Sequence, residues 1–161
     1  MTPYLKKQTN YLKYFRPIVK YHQLKHKLNQ SEIELLFFLY SEGYFSKKDF
    51  DEFQEILPWD KKRFQKLMRR GFIEAHIATK EHRVQNSRKM YAISISGKKM
   101  VRSIYNMLEG KEIPEEGRFS AFSAPTKMTF SDKVLRNFIK IINKKRRALD
   151  RVARLANESD D

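Results

Sequence analysis

The chain has 161 residues, a net charge of +15 and no cysteine. That length suits one domain, or one domain with helical extensions. Hydrophobic residues make up 40% and charged residues 33%, but 12 Phe, 8 Tyr and 1 Trp supply the large side chains of a folded core, which argues against wholesale disorder. Without cysteine, disulfide scaffolds, thiolate zinc sites and thiol catalysis are excluded. No apolar run approaches the roughly 18 residues of a membrane span. The start, Met1-Thr-Pro-Tyr-Leu-Lys-Lys7, lacks the apolar stretch of a secretory signal. A cytoplasmic chain is expected, with a polyanion as partner: nucleic acid ahead of a membrane surface.

The charge is unevenly placed. Residues 58–108 carry 13 basic and 3 acidic side chains, directly after residues 31–57 with 2 and 7. Residues 1–30 carry 7 basic and no acidic side chains, and residues 131–156 carry 9 and 2. Lysine serving solubility alone would be spread more evenly.

Residues 10–27 read as a helix with Leu12, Phe15, Val19 and His22 on one face, kinked or started later by Pro17. Residues 31–42 form a strong helical pattern. Ser31 and Glu34 suggest a capping box and Gly43 a stop. Its apolar run from Ile33 to Tyr40 goes nearly all round, as in a central core helix. Ser46 opens a helix over 46–56, with Asp49 at N3 and Phe50, Phe53 and Ile56 inward; Pro58 ends it. A further helix spans about Asp60 to Arg70, with Phe64, Leu67 and Met68 on one face and Gly71 at its end. The period then changes to two. Residues 72–77 and 90–95 alternate like strands around a polar, basic loop.

Residues 97–109 return to a helical pattern, with Met100, Val101, Ile104 and Leu108 on the apolar face. Residues 110–130 contain Gly110, Pro114, Gly117 and Pro125 but also Phe119, Phe122 and Phe130, and read as a linker that orders on contact. Residues 131–156 form a long final helix capped by Ser131. Val134, Phe138, Ile141, Ala148, Val152 and Leu155 follow a spacing close to 3.5, interrupted by Lys145.

The expected fold class is mainly α with a small β-hairpin: a winged helix-turn-helix with flanking N- and C-terminal dimerisation helices. Four features carry a family likeness. They are the core helix ending Tyr40-Ser-Glu-Gly43, the Ser46–Ile56 helix, the junction Leu67-Met-Arg-Arg-Gly71-Phe-Ile73, and Ile93-Ser-Ile-Ser-Gly97 leading into the next helix. On these, residues 28–109 resemble the multiple-antibiotic-resistance regulator (MarR) family of winged-helix DNA-binding proteins. Where that family's wing has an Asp-x-Arg, this chain has Gln85 and Ser87; Glu81-His-Arg83 is displaced by four residues. The expected domains are an N-terminal dimerisation helix (1–27), a DNA-binding domain (28–109), a linker (110–130) and a basic C-terminal helix with an acidic tail (131–161), the very basic last helix being unusual for that family. The resemblance also implies a two-fold homodimer and a small aromatic effector, and no residue here argues for the effector.

Lys61, Lys62, Gln65, Lys66 and Arg69 project opposite Phe64, Leu67 and Met68. A helix fits the major groove, its early residues reach base edges, and Gln pairs with adenine as Lys or Arg pairs with guanine or phosphate. Lys80, His82, Arg83 and Arg88, with Lys89, form a basic wing for the minor groove or flanking phosphates. Lys144-Lys-Arg-Arg147 reads equally as a second phosphate patch or a solvated face. Asp49, Asp51, Glu52 and Glu55 have no matching His or glycine-rich loop, and His22 with His26 at i, i+4 has no third ligand. No catalytic site, metal or cofactor is therefore expected. The expected function is sequence-specific binding of double-stranded DNA by a non-enzymatic, homodimeric transcriptional regulator. Rivals are a phage-type structural, packaging or replication-associated nucleic-acid protein on the same fold, and a protein-interaction module.

Overall fold

A computed structural model describes residues 11–56, 60–76, 89–116 and 129–159. The elements are α1 (Tyr11–His26), α2 (Gln30–Glu42), β1 (Phe45–Ser46), α3 (Lys47–Ile56), α4 (Lys61–Arg69), β2 (Ile73–His76), β3 (Met90–Ile93), α5 (Ile95–Glu109) and α6 (Phe130–Glu158). The described residues are mainly helical with a small three-stranded antiparallel sheet. Two units cluster separately, Leu28–Arg102 and Met1–Lys27 with Ser103–Asp161.

In the unit Leu28–Arg102, the cap of α2 lies two residues earlier than its sequence suggests. Asn29 is its N-cap, with extended backbone (φ −84°, ψ 172°). Its side chain accepts from the Glu32 N–H at 2.8 Å, and Glu32 accepts from the Asn29 N–H at 3.0 Å. The expected Ser31–Glu34 box is therefore replaced by Asn29–Glu32. An amide oxygen already satisfies the first-turn donor, and Ser31 falls inside the helix. The expected cap of α3 forms: the Ser46 N–H donates to Asp49 Oδ2 at 2.8 Å and the Asp49 N–H to Ser46 Oγ at 3.2 Å.

The sheet has the order β1-β3-β2. The expected hairpin is thus joined by a third strand, β1, pairing Phe45 with Tyr91 and Ser46 with Met90. Two residues are too few to show an alternating pattern, so nothing in the sequence marks β1. Aromatic rings explain why it is held. Phe45 meets Phe53, Phe64 and Tyr91 at 6.0 Å each, Phe64 meets Phe50 at 4.7 Å and Tyr91 at 5.1 Å, and Phe38 meets Phe53 at 5.0 Å. One cluster therefore joins α2, α3, α4, β1 and β3.

The chain leaves α4 through a Schellman turn. The Gly71 N–H donates to the Met68 carbonyl at 3.0 Å, and the Phe72 N–H to the Leu67 carbonyl at 2.9 Å. Gly71 has φ +77°, a conformation that favours glycine. Gly97 serves a different need. A Cβ there would lie 2.8 Å from the Phe72 carbonyl oxygen, so glycine allows α5 to start against β2. Ser94 completes the junction. Its Oγ donates to the Gly71 carbonyl at 2.6 Å and accepts from the Gly97 N–H at 3.1 Å.

In the other unit, α1 runs unbroken through Pro17, where a kink or late start is expected. Proline removes one backbone hydrogen bond, but Pro17, Ile18, Val19, Tyr21 and His22 are all buried, so packing holds the turn. Leu12 and Phe15, expected on the same face, are exposed at 90% and 39%. Helix α6 starts at Phe130 rather than Ser131. Its cap is Thr129, in a reciprocal box with Asp132. It buries Ile139, Ile142 and Asn143. The expected stripe of Val134, Ile141, Val152 and Leu155 lies on an exposed face instead. Residues 111–116, part of the expected linker, are tied down within this unit. The Asn143 amide donates to the Pro114 carbonyl at 2.7 Å, and the Glu115 N–H donates to the Tyr21 hydroxyl at 3.2 Å. The linker's remainder, residues 117–128, lies outside the described residues.

His22 is 1% exposed, stacks on His26 and has its Nε2 3.3 Å from Met107 Sδ. Burial, then the neighbouring His26 and Lys25, push its pKa down to about 3 from an ordinary 6.5. The unfolded chain therefore binds a proton here that the folded chain refuses. Stability should fall as pH drops from about 7 to about 4. Chemical denaturation across that range should show a shallower loss in His22→Gln than in the wild type.

Candidate nucleic-acid interface

Helix α4 has nine residues, five of them cationic, so its own propensity cannot sustain it. Three features do. Asp60 caps its N-terminus, accepting from the Arg63 N–H at 2.9 Å. Phe64 and Leu67 are buried at 6% and 0% exposure. The Schellman turn closes its end. With these side chains inward, Lys61, Lys62, Gln65 and Arg69 are exposed. At 100° per residue they occupy an arc of about 100° opposite the core. The structure thus brings four of the five helix residues singled out from the sequence onto one solvent face.

The fifth, Lys66, is differently employed. Its Nζ lies 2.6 Å from Glu32 Oε1, and the Glu32 side chain is 2% exposed. Burial alone would raise the Glu32 pKa. The Lys66 ammonium and the Asn29 N–H outweigh it, with Arg70 adding to them, and hold the carboxyl below its usual range. Lys66 thus links α4 to the cap of α2, and its charge is already matched. The helical period places it on the outer arc but cannot reveal a buried carboxylate 34 positions earlier.

Lys80, His82, Arg83 and Arg88 lie outside the described residues. Lys89 is described, and it gathers with residues that the sequence did not single out. Ser46, Lys47, Lys48, Lys89 and Tyr91 line a cavity of about 350 Å³. The pairing of Ser46 with Met90 explains the gathering, because the next residues along the two chains are Lys47 and Lys89. Lys47 and Lys48 occupy the first turn of α3, where positive charge opposes the helix dipole. That mismatch is the one sequence signal that could have pointed to them. Lys98 and Lys99 are the fourth and fifth residues of α5 and are exposed.

In the basic cluster of α6, Lys144, Lys145 and Arg147 are exposed. Arg146 is half-buried, stacked 5.3 Å over Tyr14. Asp51, Glu52 and Glu55 of α3 are not buried, and Asp49 is engaged in the cap. Among the described residues no group of three His, Cys, Asp or Glu is placed to hold a metal ion, and no helix is long and apolar enough to cross a membrane. No family model, curated protein or solved structure matches this chain.

The ion pair separates two kinds of lysine on one helix. Lys66→Ala leaves a buried carboxylate with one donor fewer, and should cost about 1–3 kcal/mol of stability. Lys62→Ala removes an exposed side chain, and should stay within about 0.5 kcal/mol. Urea denaturation at neutral pH measures both.

Proposed function

We propose that this chain is a cytoplasmic, non-enzymatic winged helix-turn-helix protein that binds double-stranded DNA in a sequence-specific manner, as a MarR-like transcriptional regulator. The observation that carries this reading is α4. It is a short helix held by its apolar side, with Lys61, Lys62, Gln65 and Arg69 exposed on the other. The order α2-β1-α3-α4-β2-β3, with β1 joining the β2–β3 pair, supports the winged-helix assignment. In this reading α4 lies in the major groove and the wing follows the flank. Phosphate contacts by the lysines supply most of the affinity, and Gln65 contributes base preference.

Selection from random DNA followed by footprinting tests the reading. A defined palindromic site supports regulation. Sequence-blind coating at high stoichiometry favours the structural or packaging role, and absence of binding at low salt removes DNA altogether. With a site in hand, Lys62→Ala plus Arg69→Ala should weaken binding to every duplex. The slope of log affinity against log salt should shrink by about 0.9 for each phosphate no longer neutralised. Gln65→Ala should instead relax preference at one base pair, by about 1–3 kcal/mol. Retention of full affinity and preference in the triple variant would remove α4 as the reader.

A regulator reading a palindrome acts as a two-fold pair, its recognition helices about 34 Å apart. Exposed apolar side chains support a homodimer through the terminal helices: Leu12 and Phe15 on α1, and Phe130, Val134, Ile141 and Val152 on α6. Such stripes favour a partner surface. Because α6 also buries Ile139, Ile142 and Asn143, deleting it would strip the core of its own unit. Surface substitutions are the cleaner test. Light scattering at micromolar concentration should give twice the 19.4 kDa chain mass. Val134→Glu with Ile141→Glu should give a folded monomer, and a wild type that is already monomeric overturns the dimer.

A further inference from the structure

The cavity at the start of α3 has the chemistry of an anion seat. Lys47, Lys48 and Lys89 converge on it from α3 and from the residue before β3. None of the three has an ion-pair partner among the described residues. Three exposed ammonium groups around 350 Å³ give the cavity a positive potential that an anion entering it would lower. The backbone contributes in the same direction. Helix α3 is ten residues long, and the N–H groups of Lys47 and Lys48 fall in its first turn, where no carbonyl within the helix reaches them.

The second observation is Tyr91. It is 6% exposed and lines the cavity. Its ring is fixed by Phe45 at 6.0 Å and Phe64 at 5.1 Å. Its hydroxyl has no hydrogen-bond partner among the described residues. The ring is nearly buried, and the hydroxyl at the cavity wall can donate to an acceptor oxygen held there. Among the described residues, carboxylates of α3 oppose the anion: Asp49 in the cap, and Asp51 and Glu52 one turn beyond Lys47 and Lys48. The Asp49 carboxylate holds the Ser46 N–H at 2.8 Å, and Ser46 Oγ in turn accepts from the Asp49 N–H. The described residues that line the cavity itself are three cations and no carboxylate, so the wall remains positive.

We propose that this cavity is a phosphate-binding site, with Lys47, Lys48 and Lys89 neutralising the charge and the Tyr91 hydroxyl and the α3 N–H groups orienting the oxygens. A tetrahedral oxyanion matches donors arriving from several directions, and the depth of Tyr91 favours a group that can shed part of its water. The phosphate comes either from a DNA backbone, in which case the site rests on the reading above and fixes the register of α3 on the duplex, or from a free phosphate or phosphomonoester.

Nuclear magnetic resonance of the full chain, titrated with inorganic phosphate against chloride of equal ionic strength, tests the site. Saturable shifts of the Lys47 and Lys48 amides are expected. Lys47→Ala plus Lys89→Ala should abolish them. Tyr91→Phe, which keeps the ring packing, should weaken them several-fold. The same double variant should lower affinity for specific and random duplexes alike and reduce the salt slope by about 2. Shifts with phosphate together with the reduced slope assign a backbone phosphate. Shifts with phosphate and an unchanged slope, or no DNA binding at all, assign a free phosphate or phosphomonoester. Amides that respond no differently to phosphate than to chloride, with an unchanged slope, overturn the site. The α4 variants then report separately whether DNA binding stands.

Discussion

The burial of Phe64 is the constraint on which the unit Leu28–Arg102 depends. Its ring lies within 6.0 Å of Phe45, Phe50 and Tyr91, three residues on three different elements. A nine-residue helix rich in like charges gains nothing from its own backbone. It exists because Phe64 and Leu67 have somewhere to go. The same fact sets what it presents, since a helix fixed by one side has no choice about its other side. The cationic arc is therefore a consequence of aromatic packing. The Glu32–Lys66 pair then fixes the rotation of α4, because a carboxylate at 2% exposure tolerates only an orientation that delivers a cation to it.

The exit from α4 is held almost entirely by local chemistry. Gly71 turns the chain, Ser94 Oγ bonds to the Gly71 carbonyl, and Gly97 leaves room for the Phe72 carbonyl. Three small residues thus tie the end of α4, the approach to β2 and the start of α5 within a few ångströms. Each does what only a residue of its size or conformational freedom can do. This is why the pattern Leu67-Met-Arg-Arg-Gly71-Phe-Ile73 with Ile93-Ser-Ile-Ser-Gly97 is legible in the chain as a junction. Its information lies in steric limits that sequence displays directly.

Legibility fails where the decisive partner is remote. The cap of α3 can be read because Ser46 acts on a donor three residues away. The cap of α2 is misplaced by two residues because Ser31 and Asn29 are equally plausible in isolation. Strand β1 is invisible, since two residues carry no period. With it goes the register that brings Lys47 beside Lys89, so half of the candidate phosphate site cannot be found from sequence. Lys66 is assigned to the outer face by angle. Its engagement depends on a buried carboxylate that no local rule predicts.

Helix α6 shows the same limit on a larger scale. It carries apolar residues on two adjacent faces, and periodicity alone does not say which one packs. Ile139 and Ile142 go into the unit with Asn143, whose amide holds the Pro114 carbonyl. Val134, Ile141, Val152 and Leu155 remain outside, and residues 147–159 are exposed throughout. An exposed stretch of that length persists as helix because it propagates from the packed half, where the cost of nucleation is already met. The spacing of Val134, Phe138, Ile141, Lys145, Ala148, Val152 and Leu155 alternates between four and three, as the seam of a two-stranded coil does. Lys145 sits at the middle of that seam. In a parallel pair it would meet its own copy and lower the stability of the pairing. A single polar residue at such a place also fixes register and strand number. Phe138 already packs at 6.5 Å from Tyr14 within its own unit, so along that seam Val134, Ile141, Val152 and Leu155 are the apolar side chains left exposed.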